Sequence, residues 1–152
     1  MRYKSRYRAG ALCVLLAFAA SSVAAATPAI EVQNAWIRWL PANLPAAGYV
    51  TLINTGDRPQ ILIGASSPDF GEVSLHQNRN QNGNIEMLPV DRIAIDAHSR
   101  VSFAAAGYHM MLMQPNKPLK PGDRVSITLR FAGGSSLTVE FDVRRPNESR
   151  TR

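Results

Sequence analysis

The chain is poor in the residues that usually carry chemistry. One cysteine, Cys13, and three histidines, His76, His98 and His109, occur among 152 residues. Cys13 falls inside an N-terminal apolar segment, so the remainder has no thiol at all. That excludes a disulfide framework and a thiolate metal site, including a type 1 blue-copper centre. Three histidines are too few for a superoxide dismutase centre. No Ser-His-Asp arrangement or carboxylate pair stands out, and the chain reads as non-enzymatic. It also lacks a long hydrophobic run. The apolar stretch Ala11 to Ala20 is too short to span a ~30 Å hydrocarbon core.

That stretch has a different use. Arg2, Lys4, Arg6 and Arg8 precede it, and Ala24-Ala25-Ala26 follow, the layout of a signal peptide with an A-x-A cleavage site. Residues 1–26 are therefore expected to be removed, leaving an exported, periplasmic protein with no stable membrane insertion. Cys13 follows Leu12 rather than a small residue, so a lipid anchor is not expected. Cleavage before Thr27 also leaves no N-terminal histidine for a copper monooxygenase brace. Four of the 17 basic residues precede the cut and all 11 acidic ones follow it, which lowers the net charge from +6 to +2. A nucleic-acid partner loses its main electrostatic support. Residues 27–145 are enough for one self-supporting domain. Residues 146–152, with Arg150 and Arg152, read as a flexible basic tail.

Proline and glycine punctuate the mature chain every eight to twelve residues, and the segments between read as strands. These are Glu31 to Leu40, Ala47 to Asn54, Gln60 to Ser66, Glu72 to Gln77 and Ile85 to Pro89. Asn78 to Asn84, with Asn82-Gly83, is a hairpin turn signal. Val125 to Phe131 and Leu137 to Val143 alternate apolar and polar residues across Gly133-Gly134, an antiparallel hairpin with one dry face per strand. No long helix is expected. The class is all-β, a single-domain β-sandwich.

Against this sparse background, histidine and methionine stand out. Alternation along Tyr108 to Met113 puts His109, Met111 and Met113 on one strand face, with Met110 and Leu112 on the other. His76 and Met87 bracket the Asn-rich turn, so a hairpin brings them together. Imidazole and thioether together, without thiolate, suit a soft ion such as Cu(I). The commonest alternatives are plain: Met110 and Met113 as core filler, and His98 as a hydrogen-bonded surface residue. Trp36 and Trp39 fall on opposite faces, one expected in the core and one half-exposed.

The spacing His76, ten residues, Met87, twenty-one residues, then His109-Met110-Met111 resembles the His-x10-Met-x21-His-x-Met signature of the PCuAC periplasmic copper chaperones. Asn34-Ala35-Trp36-Ile37-Arg38, Ala47-Gly48-Tyr49, Ser66-Ser67-Pro68 and Pro118-Leu119-Lys120-Pro121-Gly122-Asp123 extend the likeness over the mature domain. The resemblance implies a cupredoxin-like Greek-key β-sandwich binding one Cu(I) through His76, Met87, His109 and Met111. It further implies a copper-accepting partner, a cytochrome c oxidase subunit or another copper chaperone; the protein is expected to be a monomer. Ala106-Gly107-Tyr108 departs from the family's Gly-Gly before the His-x-Met. The chain's end lacks the His- and Met-rich tail of some members, so no second copper is expected. A copper-scavenging protein would need the same ligands, and a metal-free binding module none of them.

Overall fold

The computed structural model describes residues 29–41 and 44–148. The expected signal peptide and the last four residues of the expected tail lie outside them. Among the described residues ten strands follow in chain order: β1 Ile30–Arg38, β2 Ala46–Asn54, β3 Gln60–Ser66, β4 Phe70–Gln81, β5 Asn84–Pro89, β6 Ile93–Ile95, β7 Arg100–Ser102, β8 Tyr108–Pro115, β9 Arg124–Phe131 and β10 Ser136–Arg144. They hydrogen-bond along one path, β5-β4-β8-β2-β1-β10-β9-β3-β6, with β7 added to β2. Strand β1 joins the two halves, antiparallel to β2 and parallel to β10.

Inward side chains of the two halves meet in one core. Val50, Leu52, Leu75, Met110 and Leu112 come from the first half, and Leu62, Ile127, Leu129, Phe131 and Phe141 from the second. Each such side chain contributes ~1.5–3 kcal/mol on leaving water. The all-β sandwich expected from alternation is the architecture found. Gly48 permits one close approach within it, since a Cβ there would stand 3.2 Å from Leu112 Cδ1 and 3.3 Å from Met110 Cβ.

Two details depart from the expected strands. The hairpin turn is only Asn82-Gly83, both at positive φ (54° and 87°), so β4 runs through Asn78 to Gln81 instead of ending at Gln77. Asparagine and glycine tolerate the left-handed conformation that a two-residue turn needs. In β1, pairing passes from Gln33↔Thr51 to Trp36↔Tyr49, three steps against two, with Asn34 at φ 52°. This extra residue is a β-bulge, and it reverses the strand's parity. Ile30 faces the core before it; Ile37 does so after it, which turns Trp36 and Arg38 outward.

Candidate metal centre

Strand β8 builds the site by alternation. Met110 and Leu112 are fully buried in the core, whereas Met111 projects from the other face and is half-buried. His109 shares that outer face yet is only 5% exposed. It lies against the turn at residues 104–107, its Nδ1 3.3 Å from the Gly107 carbonyl oxygen. Asn78 ties this turn to β4, its backbone N–H donating to Gly107 O (3.0 Å) and its Nδ2 to Ala105 O (2.6 Å).

Antiparallel pairing of β4 with β8 sets His76 directly opposite His109 and Ser74 opposite Met111. Such opposed residues have Cβ atoms ~4.5–5.5 Å apart. Here the imidazole centroids are 5.9 Å apart. On the other side, β5 sets Met87 opposite Asn78, which shares a face with His76. Met87 is 47% exposed.

A cavity of about 330 Å³ opens on this face, lined by Met87, His109 and Met111 together with Arg38, Tyr49 and Asn78. The structure thus brings three of the four expected ligands to one cavity. The fourth, His76, does not line it and stands beside His109. Its Nε2 is 3.1 Å from Ser74 Oγ, and its Nδ1 is buried without a hydrogen-bond partner. Burial, then the charge of His109, holds the His76 pKa below the ordinary imidazole value, against an opposing pull from Glu72. The neutral ring, which is the metal-binding form, is thereby favoured. Burial likewise pushes the Tyr49 phenol upward, with the Arg38 charge opposing.

The donors gathered here are imidazoles and thioethers, and no carboxylate lines the cavity. Among the described residues, His, Cys, Asp and Glu nowhere gather in threes. A donor set of this kind suits a soft monovalent ion better than a hard divalent one. A second groove, about 300 Å³, is lined by Trp39, Leu40, Leu44, Phe70 and Leu119 and includes neither histidine nor methionine.

His98 sits in the turn after β6, its Nε2 2.9 Å from Asp57 Oδ1. Met110 is core, as expected of filler. Met113 is not: it is half-buried opposite Glu72 and outside the core cluster. Trp39 packs against the core and donates from Nε1 to Leu119 O at 2.8 Å, while the Trp36 ring lies tilted against Tyr49 with centroids 4.7 Å apart. Three cavity residues escaped the sequence reading. Asn78 falls in the expected turn, Tyr49 and Arg38 enter only as landmarks of the family resemblance with no site role, and the β1 bulge aims Arg38.

The family described as "Putative lipoprotein LpqE-like" matches residues 30–143. The "Putative lipoprotein Lxx21020" of Leifsonia xyli subsp. xyli is 33% identical over 116 residues, 76% of this chain and 69% of that protein. Among solved structures, the copper-bound PCuAC domain of PmoF2 is 30% identical with a TM-score of 0.66, covering 80% of this chain and 97% of that one. The Cu(I) form of DR1885 from Deinococcus radiodurans is 28% identical with a TM-score of 0.57, covering 84% of each chain. The chain belongs to the LpqE-like family, and its β-sandwich is a PCuAC domain.

Proposed function

We propose that this protein is an exported copper chaperone that carries one Cu(I) between His76, Met87, His109 and Met111. The observation that carries the reading is the His76–His109 pair across β4 and β8, with Met87 and Met111 lining the cavity beside it. The copper-bound PmoF2 domain and the Cu(I) form of DR1885 support it from outside the chain. No thiolate has to lose a proton or resist oxidation, which fits a periplasmic carrier. Release follows by ligand exchange. Met87, on the exposed edge strand β5, is the ligand an acceptor reaches first, and the buried His109 the last. A copper centre of cytochrome c oxidase, directly or through another chaperone, is the acceptor the family resemblance favours. The protein itself is non-enzymatic.

The test is an anaerobic Cu(I) titration of the mature protein against a competing chelator, beside Met87→Leu and Met111→Leu. One tight equivalent, weakened in both variants, supports the reading. Equal binding by all three proteins, or none by the wild type, defeats it.

A further inference from the structure

Among the described residues, the proposed copper cavity is lined by one charged side chain, the cation Arg38. Arg38 leaves β1 just beyond the bulge at Gln33/Trp36, which turns it out of the core. Its register, Arg38↔Ala47 and Ala47↔Met111, places it two strands from a thioether on the same sheet face, with only the small Ala47 between. Among the described residues no carboxylate forms an ion pair with Arg38, and its Nε is buried without a hydrogen-bond partner. The nearby Asp142 is engaged by Arg124 and Arg144 instead, at 3.6 and 3.1 Å. Glu72, whose charge reaches His76, does not line the cavity. The guanidinium charge is therefore uncompensated where the metal is held.

We propose that Arg38 is a specificity-determining residue that makes this cavity select monovalent over divalent copper. The inference rests on the proposed copper site and deepens it. With two imidazoles and two thioethers the ligand set is neutral, so the bound metal keeps its full charge, +1 or +2. Coulomb repulsion from a fixed cation scales with that charge, so the penalty on Cu(II) is twice the penalty on Cu(I). A carboxylate at this position would do the reverse. The same repulsion moderates Cu(I) affinity, which favours hand-over to an acceptor.

The doubling gives a signature that a packing role does not. Cu(I) and Cu(II) affinities are measured by chelator competition for wild type, Arg38→Gln and Arg38→Lys, with thermal unfolding of each apo protein as the folding control. Removing the charge is expected to tighten Cu(I) about threefold and Cu(II) by the square of that factor, about tenfold. Arg38→Lys, which keeps the charge, is expected to retain the wild-type ratio. In the wild type alone, the Cu(II)-to-Cu(I) affinity ratio should rise with salt as the charge is screened. An unchanged ratio in Arg38→Gln, or equal shifts in Gln and Lys variants, overturns the proposal. Were Arg38→Gln to unfold, a salt-independent wild-type ratio would overturn it as well. A wild type that binds no Cu(I) defeats the copper site itself, a result distinct from either of these.

Discussion

Met110 and Met111 are adjacent in sequence and have opposite surroundings. Met110 is fully buried against Gly48 in the core, and Met111 lines the outer cavity beside His109. Only the strand's two-residue period separates them. One face of β8 builds the fold and the other presents a thioether to the cavity, so residue type alone does not reveal a methionine's surroundings. Position on the strand does. The cost of a substitution should follow the same division, with stability lost on one face and metal affinity on the other.

The largest expected effect is on the core side. Met110→Ala should cost about 2–5 kcal/mol of stability, read by denaturant unfolding, with copper stoichiometry unchanged in the protein that remains folded. Met111→Leu should do the opposite, weakening Cu(I) about tenfold to a hundredfold while shifting the unfolding midpoint little. A stability loss in Met111→Leu as large as in Met110→Ala would erase the contrast between the faces. Gly48→Ala sharpens it from the neighbouring strand. Its new Cβ crowds Leu112 and Met110 at 3.2 and 3.3 Å, and about 1–3 kcal/mol should be lost.

Smaller effects separate the two histidine environments. The His76 pKa is held below its ordinary value of 6.5. The unfolded chain thus binds more protons than the folded one in mild acid, and stability rises with pH there. This contribution is complete above about pH 6.5 and is lost as pH falls through the lowered pKa. In His76→Gln that part of the apo stability-versus-pH curve should flatten. His98→Ala, which removes only the exposed contact to Asp57, should change stability by less than about 0.5 kcal/mol and leave copper binding untouched.

Much of this was legible in the sequence, for physical reasons. Strict alternation in Val125 to Phe131 and Leu137 to Val143 reports one dry face per strand, and those segments are strands β9 and β10 almost residue for residue. Spacing marked His76, Met87, His109 and Met111 as the proposed ligands, because side chains two apart on a strand, or flanking a hairpin, project together, and strands β4, β5 and β8 do carry all four on one face. What stayed hidden depends on a single residue's conformation. Asn34 at φ 52° inserts the bulge that reverses β1, so simple alternation cannot show that Arg38 and Trp36 share a face with Met111. Short β6 and β7 carry three residues each, too few for a period to register. The turn narrowed to Asn82-Gly83 because paired backbone in β4 and β5 overrode the weak strand preference of the asparagines flanking it.

Two imidazoles and two thioethers on the outer face of β4, β5 and β8 are proposed to hold one Cu(I). X-ray absorption at the copper edge of the Cu(I)-loaded protein tests this most directly. The expected spectrum has two nitrogen and two sulfur scatterers, with one sulfur lost in Met87→Leu and one in Met111→Leu. A spectrum of nitrogen or oxygen scatterers alone, or sulfur scattering unchanged in both variants, would contradict it.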